Sequence, residues 1–293
     1  MSLRSAVGSS LRAVGLEAVA TSIVRAEAGL KERRQQRRWR RNLLAAVTGD
    51  ARPRLVAGAL EDGAIPVIAC LWNRPDRIHQ MIDLLSAQAG GVRVRLLLWN
   101  NKPANTAEYE RVILQKGATG ALASIEFHSA DDNLGGIARF VIAHNLVRDG
   151  YRGPYITFDD DQDVTPSFIT DLMAHYAPDA CAGQWAWTYR DGNYWDRRPA
   201  EPGELADYVG TPGAVFDTSS VEDPEFFRQI PPRFGFIEDL WSSYWIRRNG
   251  GTLRKVETSS VFVQEELNQS HALFERKLEF GAYLRDLGYQ RDF

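Results

Sequence analysis

The sequence predicts an α/β protein in which a mostly parallel sheet is flanked by helices and preceded by a helical N-terminal extension. Three observations carry that prediction. Short apolar runs alternate with segments of helical periodicity four times between Ile65 and Tyr176. Each apolar run is followed by a polar cluster rich in Asn, Asp or Gly. The charge is also split, with 12 Lys/Arg against 4 Asp/Glu in residues 1–54 and 23 against 34 in the rest.

The elements follow in order. From Leu11 to Val47, Leu, Val, Ile and Ala recur at three- and four-residue steps, and this stretch contains the cationic run Lys31–Arg41. It reads as a helix packed on the rest of the chain or on a second copy. Contact with an anionic membrane surface is the alternative, at about 1 kcal/mol per Arg; nucleic acid has charge alone to support it. Ile65–Leu71 is a buried strand, and Pro75 opens a helix reaching Gln88. Val94–Trp99 is a second strand, followed by a helix over Ala107–Lys116. Ser124–His128 is a third strand before a helix over Gly135–Arg148. Tyr155–Phe158 is the fourth, with a helix from Pro166 to Tyr176. Glu238 and Asp239 open a later helix that stops at Asn249-Gly250-Gly251. At 293 residues, 44% of them hydrophobic, the chain suits one domain of roughly 200–250 residues plus an appendage. No apolar run approaches the roughly 18–20 residues of a membrane span, which places the protein in the cytoplasm, at most peripheral at the inner membrane face. Cys70 and Cys181 are far apart and lack metal-ligand spacing, so both read as small core residues with reduced thiols.

Ligands of such sheets sit at the carboxyl ends of the strands. Those ends carry Asn73-Arg74, Asn100-Asn101, Asp131–Gly136 and Asp159–Asp163. Three consecutive carboxylates after a buried strand repel one another, a cost that a divalent cation relieves. A helix-loop-helix calcium loop fails, because Val164 stands where glycine is needed and Thr170 where glutamate is needed. An Asp-rich turn capping the next helix is the plainer reading. Mg²⁺ or Mn²⁺ held by one or two carboxylates suits a nucleotide-sugar diphosphate, and a later carboxylate would then serve as general base. Acids in a first helical turn also favour the helix dipole without any chemistry. Trp185, Trp187 and Tyr189 alternate as one face of a strand. Core packing is the first reading of them and sugar stacking the second, with Trp195 in the polar stretch Asp191–Arg198 the best placed.

These motifs, in this order, resemble the GT-A-fold glycosyltransferases, in particular the large inverting group called family 2, over about Ile65 to Val263. The matching segments are Asn73-Arg74-Pro75, Asn100-Asn101 where Asp-Asn is common, Asn133-Leu134-Gly135-Gly136, Asp159-Asp160-Asp161 with Pro166 five residues on, Val209–Phe216 and Glu238-Asp239. The spacing of the acidic motif is similar to that of galactofuranosyltransferase-type enzymes. The resemblance implies a basic extension at 1–60 and a transferase domain at 61–293, divided into a nucleotide-sugar half (61–165) and an acceptor half (166–293). It implies that Asn73, Arg74, Asn100, Asn133, Gly136, Arg139, Asp159 and Asp160 bind the donor, a UDP-sugar. Asp159 and Asp161, with His271, would hold Mn²⁺ or Mg²⁺. Asp239 would be the base and Glu238 would position the acceptor. Trp195, Trp185 and Gly213 would contact that acceptor, a glycan, lipid-linked, protein or small-molecule hydroxyl. A nucleotidyltransferase of this fold would carry a glycine-rich loop where Leu71–Arg74 stands. A non-catalytic binding module would need no pairing of Asp161 with Asp239, and a nuclease would repel its substrate from so acidic a domain.

Overall fold

The computed structural model describes residues 17–190, 194–263 and 273–287. The chain divides into two units, residues 1–42 and 43–293. The described part of the first is helical throughout and belongs to helix α1, Glu17–Thr48, which runs on into the second. The segment suits a helix because it contains no proline and a single glycine among many Ala, Glu, Gln and Arg residues. Arg33, Arg34, Arg37, Arg38 and Arg41 are exposed along it. Among the described residues no helix is long and apolar enough to cross a membrane.

The second unit is built on a sheet of eight strands. They are β1 (Arg54–Gly58), β2 (Ile65–Leu71), β3 (Val94–Asn100), β4 (Leu122–Ser129), β5 (Pro154–Asp159), β7 (Ala180–Gly183), β11 (Ala214–Asp217) and β12 (Thr252–Lys255). Their spatial order is β1-β4-β3-β2-β5-β11-β7-β12. Strands β2, β3, β4 and β5 pair in parallel, β11 runs antiparallel to both its neighbours, and β12 is parallel to β7. Six strands therefore share one direction, and β1 and β11 oppose them. Strand β2 lies at the middle of the parallel part, which is why Ile65–Leu71 is almost wholly apolar: both of its faces are covered.

Helices α2 (Ile78–Ser86), α3 (Thr106–Lys116) and α5 (Phe168–Met173) bury Ile78, Met81, Leu85, Tyr109, Ile113 and Phe168 against Val67, Ala69, Leu96, Leu98, Ile156 and Phe158 of the sheet. Helix α4 (Ala138–Arg148), almost entirely buried, packs on β2 and β3. The α/β class with a mostly parallel sheet flanked by helices is thus the observed architecture. Two smaller sheets sit beyond it. Strands β8 (Ala186–Tyr189), β9 (Arg197–Pro199) and β10 (Tyr208–Val209) form one, in the order β10-β8-β9. Strands β6 (Gln162–Val164) and β13 (Ser260–Phe262) form the other. Helices α6 (Glu225–Gln229), α7 (Glu238–Arg248) and α8 (Leu273–Asp286) complete the unit.

The observed elements differ from the sequence reading mainly at their ends. Pro75–Arg77 form a separate 3-10 turn before α2, and Arg74, at φ −134° and ψ 59°, stays out of the helical region that a residue before proline avoids. Helix α4 starts at Ala138 rather than Gly135, since Gly135 holds φ +77°. Strand β1 lies inside the segment 1–60 read as helical extension and pairs antiparallel with β4 from Arg54 to Gly58. Strand β11 was not foreseen as a strand, its residues being read only as part of a glycine-rich segment.

Candidate active site

Strand β5 ends at Asp159, the chain turns through Asp160-Asp161, and β6 begins at Gln162. The three acids are therefore not successive positions of one strand: the first ends it and the next two form the turn. Gln162 fixes this geometry. Its side-chain oxygen accepts from the Asp159 amide at 3.0 Å, and its Nε2 donates to Ser260 Oγ at 3.1 Å. Asp160 is 5% exposed. Its carboxylate accepts from the Trp72 amide at 3.1 Å and from Arg74 Nη1 at 2.6 Å. The other end of the Arg74 fork reaches Asp161 Oδ2 at 3.1 Å. Arg77 continues the clamp, donating to Asp163 Oδ1 at 2.6 Å and to the carbonyl of Gln162 at 3.2 Å. Two buried arginines after β2 thus lock the acidic turn after β5. Burial raises the pKa of Asp160, against the opposing pull of Arg74. Burial and the charge of Asp159 push Asp161 up to about 7.

The second group centres on Arg139, in the first turn of α4 and 4% exposed. Its Nη2 donates to Asp159 Oδ1 at 2.8 Å, its Nε to the Gly136 carbonyl at 3.1 Å, and Glu238 Oε1 lies 3.9 Å away. Its Nη1 is buried and has no hydrogen-bond partner among the described residues. The glycines here are steric requirements. A Cβ on Gly136 would overlap the Glu238 carboxyl, and one on Gly135 would meet the Phe236 ring at 2.7 Å. The loop that carries them is held by Asn101, which donates to the Gly135 carbonyl at 3.2 Å and accepts from the Leu134 amide at 3.0 Å. Asn133 accepts from the Gly135 amide at 2.7 Å. Asn100 is fully buried, and its amide group is spent on Lys102 O, Thr106 Oγ1, Ser129 Oγ and the Lys102 amide, all at 2.9–3.2 Å. Asn73 is exposed in the bend after β2.

Glu238 opens α7 inside this group. Burial, opposed by Arg139 and reinforced by Asp239, pushes its carboxyl up to about 7. The folded state therefore holds a proton that the unfolded chain has released above the ordinary glutamate value near 4.3. Stability contributed by this proton is complete below that value and is lost as pH rises to about 7; Asp161 adds a slope of the same sign. In metal-free buffer, Tm is expected to fall between pH 5 and 8, and Glu238→Gln to flatten part of that fall. Calorimetric scans of both proteins across the range check this, and parallel curves would refute it.

Asp239 is held by other groups. Its Oδ2 accepts from the Tyr208 hydroxyl, its Oδ1 accepts from the Leu240 amide at 2.8 Å, and Lys277 Nζ of α8 stands 4.0 Å from Oδ2. Lys277 also donates to Tyr194 OH at 2.9 Å. Trp195 is 44% exposed and meets Tyr194 edge-on at 4.7 Å. Trp185 instead packs on Phe262, with centroids 5.2 Å apart. Gly213 takes φ +68° in the turn before β11, donating to the Thr157 carbonyl and accepting from the Gln184 amide.

The chain thus brings Arg74, Asp160 and Asp161 together, and Gly136, Arg139, Asp159 and Glu238 together, with Asp239 beside them. It keeps Asn100 inside its own loop and Trp185 on Phe262. His271 lies outside the described residues. Arg77, Tyr208 and Lys277 escaped the sequence reading. Arg77 alone had a local signal, standing three residues after Arg74 in a proline-opened turn. Among the described residues no group of three or more His, Cys, Asp or Glu side chains is arranged to hold a metal. Asp159 and Asp161 nonetheless suit a dication shared with substrate phosphates, for which one or two carboxylates suffice, and their mutual repulsion is what such an ion relieves.

No family model matches the chain, and no curated protein does. Solved structures do. TarS residues 1–349 from S. aureus, in complex with UDP-GlcNAc, is 13% identical at a TM-score of 0.41, covering 66% of this chain. The chain spans 55% of that TarS segment. GalNAc-T7 with UDP, GalNAc and Mn²⁺ is 11% identical at a TM-score of 0.46, with 67% of this chain and 43% of that one covered. The inositol-1-phosphate CTP transferase from T. maritima is 11% identical at 0.41, with 75% and 98% covered.

Proposed function

We propose that the chain is a GT-A-type, metal-dependent, inverting glycosyltransferase that uses a nucleoside diphosphate sugar, with UDP as the favoured nucleotide. One observation carries the reading. Acids from the end of β5 and the start of α7 meet across Arg139 at the carboxyl edge of the parallel strands, where ligands of open α/β sheets bind. An acidic domain has little reason to bury a carboxylate group on each side of one arginine unless the cluster binds something.

The residues divide the work. Arg139 offers a buried N–H that no acceptor among the described residues takes, the natural partner of a phosphate oxygen. Arg74 and Arg77 hold the Asp160-Asp161 turn in place. Asp159 and Asp161 would hold a divalent cation, which when bound neutralises charge on the diphosphate. Glu238 positions the acceptor and Asp239 takes its proton. The acceptor oxygen bonds to the anomeric carbon as the bond from that carbon to the diphosphate breaks. The electron pair leaves with the nucleoside diphosphate, and the hydroxyl proton passes to the Asp239 carboxylate. Attack opposite the leaving group inverts the anomeric centre.

Calorimetric titration with UDP and GDP, with and without Mn²⁺, tests the reading. UDP is expected to bind only with Mn²⁺, and Asp161→Ala to weaken it by at least about tenfold, the loss of roughly 1.4 kcal/mol. Binding of neither nucleotide under any condition would sink the proposal.

A further inference from the structure

We infer that the acceptor carries a negative charge, being a sugar or polyol that bears a phosphate or carboxylate, and that Arg197 and Lys277 recognise that charge beside Asp239. The inference rests on the glycosyltransferase reading and adds the substrate class.

Tyr208 is paired with Trp187, and Tyr189 with Arg197, across β10, β8 and β9. Directly paired residues share a face, and so do residues two apart, so Trp187, Tyr208 and Arg197 all project from one side. The Arg197 guanidinium lies 4.3 Å from the Trp187 ring and 4.0 Å from that of Tyr194, with Trp195 and Tyr208 at 5.7 and 5.8 Å. Stacking satisfies the faces of a guanidinium and leaves the N–H edge to be used. Of that edge, Nη1 is buried with no hydrogen-bond partner among the described residues. Two nearby acids are committed elsewhere, Glu204 to Arg198 at 2.6 Å and Asp207 to Arg247 at 2.8 Å.

A second cation enters the same pocket. Lys277 Nζ sits 4.8 Å from the Tyr194 centroid, bonds the Tyr194 hydroxyl and faces Asp239. Burial and the charge of Arg197 oppose its protonation, but the charge of Asp239 and the Tyr194 hydroxyl outweigh them, and its pKa is raised. Two cations therefore line one cage, at 4.0 and 4.8 Å from the Tyr194 ring. A neutral sugar needs the aromatic faces only. An anionic one uses the faces, the guanidinium edge and the ammonium together. Trp195, 44% exposed, supplies aromatic surface for the sugar. Asp239, joined to this cage through Tyr208, is in place to take a proton from a hydroxyl of the same ligand.

The test uses the full chain with saturating UDP and Mn²⁺, which occupy the donor site and keep Arg139 from answering for Arg197. Glucose, glucose 6-phosphate and glucuronic acid are titrated in turn by calorimetry. One or both anionic sugars are expected to bind at least tenfold more tightly than glucose, and the phosphate and carboxylate arms tell the two sources of charge apart. Arg197→Gln is expected to erase that preference while UDP affinity stays unchanged. Should the variant not fold, salt reads the same interaction in the wild type. Raising NaCl from about 0.05 to about 0.5 M must weaken the anionic sugar and leave glucose unaffected. Equal affinity for glucose and both anionic sugars, or a preference that survives both Arg197→Gln and salt, overturns the inference. Absence of UDP binding in the first step puts GDP in its place, and binding of neither removes the glycosyltransferase reading beneath it.

Discussion

Asp239→Asn is expected to lower kcat by about 10²–10⁴-fold, the range over which a positioned general base accelerates a reaction, with UDP affinity and Tm close to wild type. The side chain stands in the first turn of α7, bonded by the Tyr208 hydroxyl and faced by Lys277. An asparagine amide oxygen can still accept from Tyr208, so the substitution preserves shape and removes the proton acceptor. The nearby helix N-terminus loses an anion that favours it, which costs only about 0.3–1 kcal/mol. A large kinetic loss with a small change in stability is therefore the signature. Steady-state kinetics with the donor and acceptor identified as above, together with a melting curve, measure both. A kcat within tenfold of wild type would show that another group takes the proton.

The largest expected change in stability belongs to Arg139. Its removal as Arg139→Ala leaves Asp159 and Glu238 facing each other without the cation that separates them. Breaking a buried pair by deleting one partner costs about 3–5 kcal/mol. At about 2–4 °C per kcal/mol for a domain of this size, Tm should fall by roughly 10 °C. The penalty has a pH signature. Glu238 already holds its proton up to about 7, so a protonated Glu238 blunts the repulsion in acid. The loss in Tm should accordingly be larger at pH 8 than at pH 5. A fall of less than about 2 °C at pH 8 would mean that the two acids are solvated or neutral irrespective of Arg139.

The central parallel strands were legible because a strand covered on both faces has almost no choice of composition. Ile65–Leu71 is apolar end to end, and its polar flanks mark where it stops. The polar strand ends were legible for the complementary reason, as they collect residues that an isolated turn has little use for. The edge strand β1 was hidden by its exposed residues Arg54, Leu55 and Gly58, which follow no alternation, and by its position just after a basic helix. The partners of the acids were hidden too. Tyr208 and Lys277 lie 31 and 38 residues from Asp239, and nothing local distinguishes them from any tyrosine on a strand or lysine on a helix. Asn100 shows the converse limit. An asparagine after a strand serves a ligand or its own loop equally well by sequence, and only the four bonds around its amide reveal that the loop has claimed it.

Strand β11 has a consequence for how the chain is made. Strand β5 lies between β2 and β11, and β7 between β11 and β12, so neither β5 nor β7 has its full set of neighbours until Ala214–Asp217 arrive. During synthesis the strand nearest the acidic turn leaves the ribosome some 55 residues before its second partner, which is several seconds at about 5–20 residues per second. For that interval the nascent sheet shows an apolar edge of unpaired amides and carbonyls, the kind of surface that recruits other chains. Yield of soluble protein should therefore depend on translation speed and chaperone supply over that stretch, and a fragment ending before residue 214 should aggregate where the full chain does not.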